Sequence, residues 1–160
     1  MRLLIAAVGR LKQGPERELF AHYLARAEAT GRKLGLAQIA AIELAESKAK
    51  TAPERKAAEA AALVAKVPAG HKLVCLDEKG EALSSESFAR AIASYRDGAA
   101  AGIAFVIGGA DGLAPGLLAK ADKRLSLGAL TLPHGLARIV LAEQIYRAAT
   151  ILAGHPYHRA

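Results

Sequence analysis

The chain has 160 residues, of which 52% are hydrophobic and 23% charged, so it fits a globular domain with an adequate core. Lysines and arginines outnumber acids by 22 to 15, and the net charge of +7 suits a polyanionic partner. There is no tryptophan and only 4% of residues are aromatic, which disfavours base reading by an aromatic sheet. The single cysteine, Cys75, excludes a disulfide framework and a cysteine zinc site.

No targeting or membrane segment is evident in the sequence. The apolar run at residues 1–8 is too short for a signal-peptide core, and it is followed by charged residues without a convincing cleavage site. No uncharged apolar stretch reaches the length that a membrane-spanning helix needs. We therefore expect a cytoplasmic protein without a membrane partner.

Strand-like and helical patterns alternate along the whole chain. Five apolar runs predict strands at residues 3–8, 38–44, 71–76, 103–107 and 125–132. Apolar residues at three- and four-residue spacing, with Thr51 and Ser84 as caps, predict helices at residues 15–31, 51–67, 84–97 and 136–153, and a short helix from Pro115. This alternation predicts a single α/β domain over residues 1–160, with a mostly parallel sheet flanked by helices.

Ligands of such sheets bind beyond the carboxyl ends of the strands. Three of the predicted strand ends carry basic residues: Arg10 and Lys12, Lys48 and Lys50, and Lys79. Positive charge is therefore expected along the ligand edge.

The usual nucleotide-binding motifs are absent. Neither G-x-G-x-x-G nor G-x-x-x-x-G-K-[ST] occurs, which disfavours a dinucleotide dehydrogenase or a P-loop enzyme. Residues 108–112, Gly-Gly-Ala-Asp-Gly, could bring backbone close to a ligand or could simply form a turn that needs positive φ, and the segment alone does not decide between them.

The last predicted helix is apolar on two sides. Its polar residues form a narrow stripe of Glu143, Arg147 and Thr150, with Arg138 nearly opposite. Burial on both sides could be completed by a second subunit, which predicts a homodimer. The spacing of Glu143 and Arg147 is that of an ordinary ion pair along a helix.

The tail concentrates chemistry in a few residues. His155, Tyr157, His158 and Arg159 offer imidazoles, a phenol and a guanidinium, which could contact phosphate, stack on one base or move a proton. Two histidines could also bind a metal, but no third ligand is evident, so no metal site is expected.

Several motifs keep a distinctive order and spacing. They are Leu76-Asp77-Glu78-Lys79-Gly80, Ser84-Ser85-Glu86, Ile107-Gly108-Gly109, Leu125-Ser126-Leu127, Thr131-Leu132-Pro133-His134 and the ending His155-Pro156-Tyr157-His158-Arg159. Together they resemble the ribosomal RNA large-subunit methyltransferase H family over essentially the whole chain.

The resemblance implies a SPOUT-class enzyme that uses S-adenosylmethionine to methylate N3 of a pseudouridine in large-subunit (23S) ribosomal RNA. It also implies a C-terminal trefoil knot, a homodimer, ribosomal RNA in the ribosome as the partner, and no role for DNA. The cofactor-binding residues that it implies are Leu76, Gly108, Gly109, Leu127, Gly128, Ala129, Leu130, Thr131, Leu132, Pro133 and His134. The catalytic residues that it implies are His158 as the base, Tyr157 and Arg159 placing the nucleotide, and Glu143 in support.

Two positions depart from the family pattern. The chain has Ala110-Asp111-Gly112 where the family often has Pro-Glu-Gly, and Gly135 where a bulkier residue or proline often follows the Pro-His pair. Asp111 keeps the acid in shortened form and is a weak functional candidate. Methylation of another RNA, such as a transfer RNA, and a non-catalytic ribosome-binding role are the alternatives to be tested.

Overall fold

The computed structural model describes residues 1–157, which alternate between strands and helices as the sequence predicts. The strands are β1 (Arg2–Val8), β2 (Gln38–Leu44), β3 (His71–Ala82), β4 (Gly102–Ile107) and β5 (Lys123–Ser126). The helices are α1 (Pro15–Gly31), α2 (Ala52–Val64), α3 (Ser85–Asp97), α4 (Pro115–Leu118) and α5 (His134–Leu152).

The five strands form one parallel sheet in the order β2-β1-β4-β3-β5. Because side chains alternate across a strand, β1 supplies both faces: Leu3 and Ile5 pack in one core cluster and Ala6 and Val8 in the other. The first cluster holds buried residues of α1, α3 and α5, and the second holds residues of α2 and α4. The prediction of a parallel sheet with helices on both faces is confirmed.

The predicted helix caps are present. The Thr51 hydroxyl accepts a hydrogen bond from the Glu54 amide, and the Glu54 carboxylate accepts one from the Thr51 amide, which completes a capping box at the start of α2. The Ser84 hydroxyl accepts the Ser87 amide at 3.2 Å at the start of α3. These local bonds stabilise two helices whose packed faces alone do not define where they begin.

The last predicted strand was too long. It was expected at residues 125–132, but β5 ends at Ser126. The Ser126 hydroxyl bonds both the amide and the carbonyl of Gly128, whose φ of +132° turns the chain away from the sheet. The apolar run at residues 127–133 is therefore a loop, and α5 starts at His134, two residues earlier than predicted.

The third strand was predicted too short and ends at Ala82 instead of residue 76. Leu76 and Glu81 both pair with Leu125, so residues 77–80 bulge out between them. Gly80 lies directly on the neighbouring strand, because an added Cβ would be 2.7 Å from backbone atoms of Arg124 and Leu125. A glycine here lets the chain return to β5 after the bulge.

Helix α5 is covered on both sides by its own chain. It packs between α1 and α3 against the sheet, and ten of its residues are buried. The two-sided apolar pattern is thus largely explained within one subunit, although Leu136 of this helix stays 42% exposed. The homodimer stays a prediction. Among residues 1–157, no helix combines the length and apolarity needed to cross a membrane.

Substitution of Gly80 should loosen the β3–β5 pairing. We expect Gly80→Ala to lower the free energy of unfolding by about 1 to 3 kcal/mol, because the methyl group overlaps the backbone of β5. Urea denaturation gives this value. Gly116→Ala is the control, since no atom lies within 4 Å of a Cβ added to this helical glycine. Equal stability of the two variants would contradict the overlap.

Candidate functional site

A cavity of about 510 Å³ lies beside the bulge of β3 and beyond the carboxyl ends of β4 and β5. This is the edge at which parallel sheets bind ligands. Three backbone segments surround the cavity: the bulge after Leu76, the glycine loop after β4 and the loop between β5 and α5. The lining includes Leu76, Gly108, Gly109, Leu127, Gly128, Leu130, Thr131, Leu132, Pro133 and His134.

The family motifs predict eleven cofactor-binding residues, and ten of them line this one cavity. Ala129 is not among the lining residues, although both of its neighbours in the chain contribute. The cavity also has lining residues that were not expected, among them the acidic residues Asp77 and Glu78 of the bulge. Asp77 is held by Arg124 through a hydrogen-bonded ion pair.

The glycine loop owes its composition to close backbone approach. A Cβ added to Gly108 would be 2.7 Å from the carbonyl carbon of Gly112, and the Gly112 amide bonds the Gly109 carbonyl at 3.0 Å. Positive φ occurs only at Gly112 among the three glycines of this loop. The first two glycines therefore allow neighbouring atoms to approach the backbone closely, and the third provides the turn.

Asp111, next to these glycines, points out of the cavity toward α2. Its carboxylate accepts two hydrogen bonds from Arg55, at 2.6 and 3.1 Å, and these lower the pKa of Asp111. Arg55 also donates to the carbonyls of Ala49 and Lys50. Asp111 thus anchors the glycine loop to the loop before α2 and does not line the cavity.

Glu59 of α2 is a buried acid beneath the glycine loop, with an exposed fraction of 6%. One carboxylate oxygen accepts the Ser47 amide at 2.9 Å, while the other, Oε2, has no hydrogen-bond partner among the described residues. A Cβ on Gly109 would lie 3.1 Å from that oxygen. The sequence indicated only an ordinary acid in an alanine-rich helix, so nothing local could have predicted this contact.

Arg138 in the first turns of α5 is fully buried and ties the helix to the ends of two strands. Its guanidinium donates to the carbonyls of Val8 and Gly9 at 2.7 and 2.9 Å, and to Glu43 Oε1 at 2.8 Å. The same Glu43 oxygen accepts the Leu11 amide at 2.9 Å. Burial lowers the pKa of Arg138, and the Glu43 charge opposes that shift. The Glu43 carboxylate therefore compensates the charge of a guanidinium that is buried away from water.

The tail residue Tyr157 lies against α5 and not in the cavity. Its hydroxyl donates to Glu143 Oε1 at 3.1 Å, and Glu143 also binds Arg147, which confirms the predicted helix ion pair. The Tyr157 ring packs 4.6 Å from the ring of Tyr146. Burial and the Glu143 hydrogen bond raise the pKa of Tyr157 to about 12, so the phenol is a neutral donor near neutral pH.

The other tail predictions have different outcomes. His155 Nδ1 accepts the Tyr157 amide at 3.1 Å, so His155 shapes the tail. His158 and Arg159 lie outside the described residues. Within residues 1–157, no group of three or more His, Cys, Asp or Glu side chains could hold a metal ion.

A family model described as "Predicted SPOUT methyltransferase" matches residues 1–158, and the chain is a methyltransferase of the SPOUT class. Full-length relatives identify the family within this class. Ribosomal RNA large subunit methyltransferase H of Rhodopseudomonas palustris is 58% identical over 160 residues, which is 100% of both chains. The Xanthobacter autotrophicus protein of that name is 54% identical over the same extent. The chain therefore belongs to the ribosomal RNA large subunit methyltransferase H family, as its motifs predicted.

A more distant likeness is to a solved structure, the Legionella pneumophila protein Lpg2936 with S-adenosylmethionine (SAM) bound. The TM-score is 0.46 at 15% identity, covering 92% of this chain and 66% of that one. The family assignment depends on the sequence relatives.

Removal of Arg138 should cost more stability than removal of an exposed arginine. We expect Arg138→Met to lower the free energy of unfolding by about 3 kcal/mol, because two carbonyls and a carboxylate lose their buried donor. Arg32→Met is the matched control, since Arg32 pairs with Glu28 at the surface and such pairs contribute at most about 1 kcal/mol. Equal losses in urea denaturation would contradict the role of Arg138.

Proposed function

We propose that the chain is a SAM-dependent methyltransferase that methylates N3 of a pseudouridine in 23S ribosomal RNA. The observation that carries the proposal is the cavity, in which residues of the family motifs from three separate segments meet. The names of the full-length relatives support the ribosomal substrate. The position of the methyl group on the base follows from the family resemblance alone.

The residues at the cavity fit S-adenosylmethionine. Its volume lies in the range of small-molecule sites. Leu76, Leu127 and Leu132 offer apolar walls, and the glycine loop offers backbone donors and acceptors. Glu78 adds an acidic residue to the lining, which suits a ligand that carries positive charge, whereas the Asp77 carboxylate is already paired with Arg124. This arrangement needs no dinucleotide signature, because the contacts come largely from the backbone.

When bound, S-adenosylmethionine supplies a methyl group on a sulfonium sulfur, which N3 of the pseudouridine accepts after losing its proton. The chain holds the reactants together, and such positioning contributes roughly 7 to 11 kcal/mol in favourable cases. In this proposal His158 takes the N3 proton, while Tyr157 and Arg159 place the nucleotide. Glu143 holds the Tyr157 hydroxyl and keeps it a donor.

The position of Tyr157 favours action on a second copy of the chain. Ala137 lines the cavity, and Tyr146, which packs on Tyr157, follows nine residues later in α5. Nine residues are two and a half helical turns, so the two side chains project from opposite faces. Glu143, which binds the Tyr157 hydroxyl, is roughly 13 Å along the helix axis from His134. We therefore propose a homodimer in which each tail serves the partner's cavity.

The rest of the proposal follows the family. It includes the trefoil knot around the cavity, a single domain over residues 1–160, and work in the cytoplasm on the large-subunit RNA within the ribosome. The net charge of +7 suits such a polyanionic substrate.

The proposal is tested by the product. Ribosomes from cells that lack the gene are incubated with purified protein and isotopically labelled S-adenosylmethionine, and the digested RNA is analysed by mass spectrometry. We expect one labelled methyl group on a pseudouridine of 23S RNA. Label found only in transfer RNA would contradict the ribosomal substrate. If calorimetry detects no cofactor binding and the RNA stays unlabelled, the chain would be a non-catalytic binding protein.

The shared site is tested with two inactive variants. Deletion of residues 157–160 should abolish methylation and spare cofactor binding, while Ala110→Trp should fill part of the cavity and leave the tail intact. Mixed one to one, the variants should recover about a quarter of the wild-type rate, because half of the dimers would hold one complete site. If the two chains are shown to exchange subunits and the mixture still has no activity, the tail and the cavity act within the same subunit.

A further inference from the structure

A second cavity of about 590 Å³ lies beside the first, and the two share His134. Its other lining residues come from the turn after β1 and the start of α1: Arg10, Leu11, Lys12, Gln13, Gly14, Pro15 and Glu16. A molecule in the second cavity would lie next to the proposed cofactor cavity, because His134 forms part of the wall of both. None of the family motifs that indicated the function includes this turn.

Two cations in this turn are free to bind a ligand. Arg10 and Lys12 are exposed, and neither makes an ion pair or hydrogen bond with another described residue. The one acid in the lining, Glu16, lies against the start of α5, where a Cβ on Gly135 would be 2.6 Å from its carboxylate. Carboxylates are favoured at helix N-termini, so Glu16 has a use of its own.

The turn is nonetheless held firmly. Leu11, between the two cations, is buried, and its amide donates to Glu43, which pairs with the buried Arg138. His134 lies against the same strand end, because a Cβ on Gly9 would be 3.3 Å from His134 Nε2 and from Arg138 Nη2. One buried network therefore positions both the cations and the residue that the two cavities share, His134.

We propose that the second cavity binds the phosphate backbone of the substrate RNA next to the target nucleotide, through Arg10 and Lys12. The inference rests on the proposed function and assigns it a site within the same subunit as the cofactor cavity. Arginine and lysine are the side chains that most often contact phosphate oxygens, and such contacts set register without reading sequence. The amide of Gln13 adds a neutral donor at the same cavity.

The test is the double variant Arg10→Ala/Lys12→Ala, compared with Lys33→Ala/Lys66→Ala. The control pair removes the same charge from exposed positions just beyond the C-terminal ends of α1 and α2, at the opposite edge of the sheet. Binding to unmethylated ribosomes is measured by filter binding over a range of salt concentrations, and S-adenosylmethionine binding is measured by calorimetry.

For Arg10→Ala/Lys12→Ala we expect roughly tenfold weaker binding to the ribosomes and a salt dependence whose log–log slope is smaller by about one to two. Cofactor affinity should stay within twofold of wild type. The control pair should change the slope by less than half as much. Equal effects of the two pairs would overturn the subsite, as would loss of cofactor affinity in the Arg10/Lys12 variant.

The two proposals fail separately in this experiment. A wild type that methylates the ribosomes while the Arg10/Lys12 variant binds them like the control would retain the function and overturn the subsite. A wild type that binds through Arg10 and Lys12 without methylating RNA would retain the subsite and overturn the function. Arg10→Lys/Lys12→Arg, which keeps both charges, should restore most of the salt slope and so separates charge from side-chain packing.

Discussion

The ligand edge of the sheet depends on the hydrogen bonds that the buried Arg138 guanidinium donates. These bonds connect the first turns of α5 to the carbonyls of Val8 and Gly9 at the end of β1 and to the Glu43 carboxylate of β2. An unpaired cation without water costs several kcal/mol, so these partners must stay in place for the fold to be stable. Because His134 begins the same helix, the network also positions the residue that the two cavities share.

The cofactor cavity shows how a ligand site can be built with few side-chain functional groups. Gly108 and Gly109 allow neighbouring atoms to approach closely, the bulge after Leu76 adds two acidic residues to the lining, and the loop after Ser126 contributes apolar side chains. Support comes from beneath, where Asp111 pairs with Arg55 and the unbonded oxygen of Glu59 lies against Gly109.

Helix α5 connects two different chemical surfaces. Its N-terminal end and the face of Ala137 belong to the cavities, whereas Tyr146 and Arg147 hold the phenol of Tyr157 on the other side. Glu143 accepts the one proton of that neutral phenol, which leaves the oxygen as an acceptor towards a nucleotide and suits placement better than removal of a proton. A rigid helix between the two surfaces keeps them apart within one subunit, and this is the physical basis for proposing a site shared by two copies.

The sequence by itself determined the alternation of strands and helices, the parallel sheet, the helix caps and the motif residues that line the cavity. These features depend on hydrophobic period, capping side chains and short motifs, all of which are local. Only the tertiary structure decided that β5 ends at Ser126, that Glu43 pairs with Arg138 and that Glu59 lies beneath Gly109. An apolar loop that lines a cavity has the same local pattern as a buried strand, and pairs between distant residues form only where the order of strands brings their ends together.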